Sequence, residues 1–310
     1  MAAKANVTKA ANITVQAREI DFVTRFGRNW EALREVMGIM RPIKKEFGHV
    51  LKSKTASVTL QSGAVAEGDE IPYSLATVTE HTYAEMTLEK FRKGVTAEAI
   101  KTHGYDVAVA KTDDALLEEL QNNVTTRFYT YLKTGTLNET YTTYQMALAM
   151  ALGLVKDKFK KMHRTITRVV GFANTLDVYE YLGGANLTVQ TAFGMDYVKN
   201  FMGYETLFIT SEVERGQVIA TPVENIVLYY VDPADNGFDK AGLEYTVDGE
   251  TNLIGFHVEG NYGTAVSDNF AIMGMTLFAE YLDGISVVTF DPEYTPESGN
   301  DDTNDDTNNG

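Results

Sequence analysis

Ala66-Glu67-Gly68-Asp69-Glu70-Ile71-Pro72 packs a glycine, a proline and three carboxylates into seven residues, which is the chemistry of a turn. On both sides of it, from residue 55 to residue 93, Thr, Val and Ser dominate. Ala84, Met86 and Leu88 alternate there with Glu85, Thr87 and Glu89, the period of a β-strand. The spacing predicts a long β-hairpin arm. Few of its residues are large and apolar, so the arm has little to bury by itself and needs a surface to lie on.

Toward the N-terminus, Ile20, Val23, Trp30, Leu33, Val36 and Met37 recur at steps of three and four and predict an amphipathic helix over 20–40, with Gly27 a candidate break. Arg41-Pro42 ends it, because proline disfavours helical geometry in the residue before it. Residues 1–17 are small and polar, the composition of a flexible or partner-ordered arm.

Toward the C-terminus, Thr112-Asp113-Asp114 offers a capping hydroxyl and two carboxylates at the start of a long helix. Leu117, Leu120, Val124, Phe128 and Tyr131 form its apolar stripe, and Gly135 suits its stop. A second helix is expected over 144–162. Val169-Val170-Gly171-Phe172, 206–210, 218–220, 226–231 and 253–258 then read as strands, with short helices over 176–182 and 196–202. A last apolar block runs from Ala271 to Phe290. Beyond it, the Asp/Thr/Asn repeat is low in complexity and expected to be disordered.

The 310-residue chain suits one large domain or two joined lobes. Its net charge of −16 is uneven: residues 1–60 carry 11 Lys/Arg against 5 Asp/Glu, and the last twenty residues carry −7. The middle therefore repels polyanions, which argues against nucleic-acid recognition through a basic face. With no cysteine there is no disulfide, thiolate or iron–sulfur chemistry, and a reducing cytoplasm suits the chain. The first nine residues lack the apolar core of a signal peptide, and the nearly apolar run from Tyr144 to Val155 is too short to span a bilayer, so no membrane association is expected.

Catalytic signatures are missing. His49, His81, His103, His163 and His257 lie far apart without metal-ligand spacing, and no nucleophile elbow or phosphate loop occurs. Gly183-Gly184 reads as a helix-ending turn. A calcium loop counted from Asp232 puts Ala234 and Leu243 where ligands belong, so the pattern fails. No catalytic, cofactor or metal site is assigned, and an enzyme is not expected.

The turn at Glu67-Gly68 followed by Ile71-Pro72, then Thr96-Ala97-Glu98-Ala99, Asp106 and the helix from Asp113 to Lys133, resembles the major capsid proteins of tailed bacteriophages with the Hong Kong 97-type fold. Phe193-Gly194 with Tyr197, Leu207-Phe208-Ile209, Gly216-Gln217-Val218, Asn225-Ile226 before Tyr229-Tyr230, and the run from Phe278 to Ile285 extend the resemblance over roughly residues 20 to 290. It implies an α+β fold: an N-terminal arm and helix over 1–54 and an extended loop over 55–93. A peripheral domain over 94–139 and 246–290 surrounds a long spine helix, with an axial α/β domain over 140–245 and an acidic tail over 291–310. The final apolar block would supply the closing strand of the peripheral domain.

The resemblance further implies a structural protein without cofactors. It would assemble with itself as hexamers and pentamers into an icosahedral head, in the host cytoplasm, around double-stranded DNA held without sequence-specific contacts. A portal, a decoration protein and a separate scaffolding protein are the implied partners, since about twenty residues before the first helix leave no room for a built-in scaffold. Some members link a loop lysine to a neighbour's asparagine; residues 61–89 contain neither lysine nor arginine, so no such link is expected. An encapsulin-like compartment shell, which shares the fold, is the alternative.

Charge suggests how copies meet. Glu67, Asp69 and Glu70 cluster at the turn while Arg25, Arg28, Arg34, Arg41, Lys44 and Lys45 crowd the N-terminal segment, so the hairpin tip is expected to dock on the arm of a neighbouring copy.

Overall fold

The computed structural model describes residues 10–39, 42–183, 189–234 and 238–293. In chain order these form α1 (Ala10–Met37), β1 (Ile43–Lys44), β2 (Val50–Thr59), β3 (Leu75–Glu85), β4 (Glu89–Thr96), α2 (Ala97–His103), α3 (Lys111–Leu132), β5 (Leu137–Tyr141), α4 (Tyr144–Lys161) and β6 (Val169–Asn174). They continue with α5 (Thr175–Leu182), β7 (Gln190–Ala192), β8 (Met195–Phe201), β9 (Tyr204–Thr210), β10 (Gln217–Pro222), β11 (Ile226–Val231), β12 (Ile254–Asn261), β13 (Val266–Ala279) and β14 (Ser286–Phe290).

A seven-stranded sheet runs β5-β14-β10-β6-β9-β8-β7. Its inner strands read as unbroken apolar runs because both faces are covered. Val170, Phe172, Phe208 and Ile219 join a core with Phe26 and Trp30 of α1 and Phe128 and Tyr129 of α3. Val169, Ala173, Leu207, Ile209, Val218 and Ala220 alternate with them and pack with Ala147, Leu148, Ala151 and Val155 of α4 and Val178 of α5. Phe172 marks the middle of the first core, with Phe128 and Tyr129 edge-on at 5.5 Å and Phe208 stacked at 5.2 Å.

The five-stranded sheet runs β1-β11-β13-β12, with β4 pairing β13 as well. The fourteen-residue β13 serves two sets of partners: Val266 to Met273 lies between β12 and β4, and Gly274 to Ala279 pairs with β11. α1 covers β12, with Phe22 stacked on Phe256 at 4.0 Å.

Several expectations need correction. The N-terminal segment is helical from Ala10 rather than an arm to residue 17. α1 also runs unbroken through Gly27, where the missing side chain permits a close approach: a Cβ there would lie 2.7 Å from Asp248 Oδ2. Thr112 does not cap the spine helix α3, because a π-helical turn over Asp106–Ala110 leads straight into it. The Thr112 hydroxyl turns back to the Ala108 and Val109 carbonyls instead. The cap in this region belongs to Thr96, whose Oγ1 accepts from Ala99 N.

Residues 196–202 are not a helix. β8 lies between two two-residue turns, Phe193-Gly194 and Met202-Gly203, with positive φ at all four residues, the hairpin geometry that matches strand twist. Met195 and Tyr197 are buried while Asp196 is exposed, a period of two. β14 closes the seven-stranded sheet between β5 and β10 rather than completing the sheet of β12 and β13. The expected loop is also displaced from 55–93: its two-stranded ribbon, β2–β3, runs from Val50 to Glu85, and β4 belongs to the five-stranded sheet. Gly183 is the left-handed cap of α5, as a helix-ending turn requires. Gly184, Arg41, Asn236, residues 1–9 and residues 294–310 of the acidic tail lie outside the described residues.

Candidate intersubunit surface

The ribbon is built from β-branched and hydroxyl residues that suit a pleated surface but offer no core. Nine register pairs hold β2 to β3, among them Lys54 with Glu80, Ala56 with Val78 and Val58 with Ala76. Because cross-strand partners share a face and the side-chain period is two, Ala56, Val58, Ala76 and Val78 lie together on one side. Ser57, Thr77 and Thr79 lie on the other. At the base, Leu51 and Met86 pack on Val231. Beyond that the ribbon stands away from the body: Val58, Leu60, Ile71, Tyr73, Leu75 and Val78 are all exposed, Tyr73 by 93%.

Its tip turns at Gly68, with φ of +92° and a bond from Asp69 N to Ala66 O. Glu67, Asp69 and Glu70 are exposed there, and no ion pair to them occurs among the described residues. The basic residues expected to meet such a tip are mostly engaged within their own chain. Arg25 pairs with Asp114 at 2.5 Å and Asp21 at 3.1 Å, Arg34 with Glu31, and Lys44 with Asp232 at 3.1 Å. Lys45 sits 5.4 Å above the Tyr229 ring. Arg28 is exposed, and Arg41 lies outside the described residues. Acidic tip and basic segment are not brought together within one chain.

Two charge clusters were not anticipated from sequence. At the ribbon base, Lys52 at 2.6 Å and Lys54 at 3.4 Å share the single carboxylate of Glu80. The hydrogen bond from Lys52 holds that carboxyl below its ordinary range. In the body, buried Asp113 accepts from Arg18 Nε at 2.5 Å, Lys93 Nζ at 2.5 Å and Asn269 Nδ2 at 3.1 Å. Burial pulls the Lys93 ammonium below the ordinary lysine value, and Asp113 opposes that shift. Glu19, next to Arg18 on α1, anchors that helix by accepting from Val258 N at 2.7 Å and Thr246 Oγ1 at 2.6 Å. In the body the sequence signal is a charge inside an apolar period, Glu19 beside Ile20 and Asp113 one turn before Leu117.

Among the described residues no group of three His, Cys, Asp or Glu side chains could hold a metal ion, and no helix is long and apolar enough to cross a membrane. Asp232, considered above as the start of a calcium loop, is occupied by Lys44 and by Ala234 N.

No protein-family model matches this chain, and no curated protein matches it in sequence. Solved structures do resemble it in fold. A chain of Mycobacterium phage Patience superposes with a TM-score of 0.52 at 8% identity, over 89% of each chain. The holo-SrpI encapsulin complex from Synechococcus elongatus PCC 7942 gives 0.49 at 13% identity, over 84% of this chain and 89% of that one. The bacteriophage PhiM1 mature capsid gives 0.47 at 8% identity, over 80% and 84%. The phage Patience likeness carries the fold: this chain has the mixed α+β architecture of the Hong Kong 97-type proteins.

Proposed function

We propose that this chain is a shell subunit, the major capsid protein of a tailed phage, and that it assembles with itself into an icosahedral head around double-stranded DNA. The observation that carries this reading is the ribbon. An isolated pair of strands is marginal in water, and this one exposes Leu60, Ile71, Tyr73 and Leu75. Such an arm is accounted for when a neighbouring copy supplies the surface beneath it. Repeated around closed symmetry, modest contacts of this kind add up to a stable particle.

Hexamers and pentamers in the virion, a separate scaffolding protein, a portal and a decoration protein complete the proposal, with assembly in the host cytoplasm and no catalytic role. The domain division belongs to it as corrected by the fold, with the ribbon β2–β3 as the extended loop, α3 as the spine and β14 counted with the seven-stranded sheet. So does docking of Glu67, Asp69 and Glu70 on a basic surface of a neighbour.

Negative-stain microscopy of the chain co-produced with its scaffolding protein tests the reading. Closed shells of uniform size are expected, and folded monomers that never assemble would overturn it. Shells that enclose a protein cargo and no nucleic acid would reassign the subunit to an encapsulin-like compartment.

A further inference from the structure

α4 carries a second stripe on the side turned away from the sheet. Met146, Ala149, Gly153, Lys156 and Lys160 recur at steps of three and four and so share one face, while Ala147, Leu148, Ala151 and Val155 are buried in the core. Met146 is 47% exposed, and Ala149, Lys156 and Lys160 are exposed as well. A Cβ at Gly153 would touch only Met150 Sδ, at 4.0 Å. The stripe is therefore apolar and smooth over its first half and cationic over its second.

The cationic half is unusual in a chain of net charge −16: residues 156–168 carry six Lys/Arg against one Asp. Lys158 pairs with Asp283, Lys161 with Asp157 and Arg168 with Glu205. Lys156 and Lys160 form no ion pair among the described residues. The carbonyl end of a helix favours cations in its last turn, which accounts for Lys160 but not for Lys156.

We propose that this stripe is the seat of the chain's own acidic tail. Residues 291–310 carry seven carboxylates, no Lys, Arg or His, and one aromatic residue, Tyr294. They leave the fold at the right end of α4: Asp291 N donates to Tyr141 O at 2.9 Å, and the Phe290 ring lies 6.2 Å from that of Tyr144. The order of chemistry along the tail matches the order along the helix. Tyr294 lies on Met146 and Ala149, and Asp301, Asp302, Asp305 and Asp306 meet Lys156 and Lys160. The lengths agree as well. The 18 residues of α4 rise about 27 Å, and the ten residues from Pro292 to Asp301 span up to about 33 Å when extended. A tethered segment needs little affinity of its own, because its effective concentration at the stripe is of millimolar order. Tail and helix belong to one chain, so the inference stands apart from the shell reading.

Lysine acetylation followed by mass spectrometry tests the seat on the full-length chain. At low salt, Lys156 and Lys160 should react several-fold more slowly than in a chain lacking Tyr294 to Gly310, while exposed Lys111 reacts equally in both. The difference should vanish in roughly 1 M sodium chloride, where the screening length falls to about 3 Å. A tail of full length with Asp301→Asn, Asp302→Asn, Asp305→Asn and Asp306→Asn should behave like the deletion. A carbodiimide, which joins a carboxylate to an amine with loss of water, should link the tail to Lys156 or Lys160 within the single-chain gel band. Equal acetylation with and without the tail overturns the proposal, as does protection that the four asparagines leave intact. Links found only in chain dimers would put a neighbour's tail on the stripe and overturn the assignment to the chain's own. Duplex DNA that protects both lysines where the tail does not would give the stripe to nucleic acid instead.

Discussion

β2–β3 and β12–β13 are both long antiparallel pairs, with nine and eight register pairs respectively, yet their surroundings are opposite. β12–β13 lies under α1, has β4 along its far edge, and buries Ile254, Phe256, Val258, Ala271 and Met273. β2–β3 buries Leu51 at its root and exposes apolar side chains along most of its length. Each ladder satisfies the backbone groups between its own two strands, so the difference lies in what covers the faces and, for β13, in a third strand along its outer edge. A covered pair is part of a core; an uncovered pair of the same length is a handle for something outside the chain.

The sharpest way to break this contrast is inside the covered pair. Phe256→Ala removes a fully buried ring stacked on Phe22 and should cost about 3 to 5 kcal/mol in denaturant unfolding. A cost near that of a surface substitution would mean α1 does not hold β12 as described. Asp113→Ala should cost about 3 kcal/mol, because it leaves Arg18 and Lys93 partly buried without their carboxylate. Asp113→Asn, which keeps hydrogen-bond capacity, should cost less in the same measurement.

The body should also respond to alkali. Burial raises the Tyr129, Tyr144 and Tyr204 hydroxyls above the ordinary tyrosine value near 10. The folded chain therefore keeps protons that the unfolded chain releases, and stability present below pH 10 is lost progressively as pH rises beyond it. Unfolding midpoints that stay level between pH 8 and about pH 11 would count against burial of these rings.

The smallest effects on folding are expected in the ribbon. Leu60→Ala, or the triple change Glu67→Lys, Asp69→Lys, Glu70→Lys, should alter unfolding free energy by no more than about 0.5 kcal/mol. The triple change should nevertheless give fewer or more salt-sensitive shells, since each exposed pair contributes only about 0.2 to 1 kcal/mol but recurs at every subunit. A variant that unfolds readily and assembles normally would reverse the contrast between the two pairs.

The elements most legible in the sequence were those whose periodicity burial enforces. Leu117, Leu120, Val124 and Phe128 mark one face of α3, and α4 runs Tyr144–Lys161 where the second helix is expected. β8 was misread because Met195, Val198 and Met202 mimic helical steps; the informative residues were Gly194 and Gly203, which close two-residue turns on either side. The start of α3 was misread because Thr112-Asp113 has the composition of a cap, while Asp113 is used by Arg18 and Lys93, distant in sequence. The basic half of the candidate surface was illegible for the same reason. A list of arginines does not say which have partners, and Arg25, Arg34 and Lys44 each have one on their own chain.

The position of β14 bears on the order in which the molecule can be made. β5 pairs in parallel with β14 and with no other strand among the described residues, and β14 also supplies the neighbour of β10. On a ribosome, residues 137–141 emerge well over a hundred residues before 286–290. Until then β5 has an open edge, β10 lacks one partner, and the apolar face of α4 meets an unfinished sheet. Non-local pairings of this kind are slow because a long loop must close before any contact rewards it. Completion of the seven-stranded sheet is therefore a late event in the life of each chain, and a nascent chain stalled before residue 286 is a template for aggregation rather than a small folded domain.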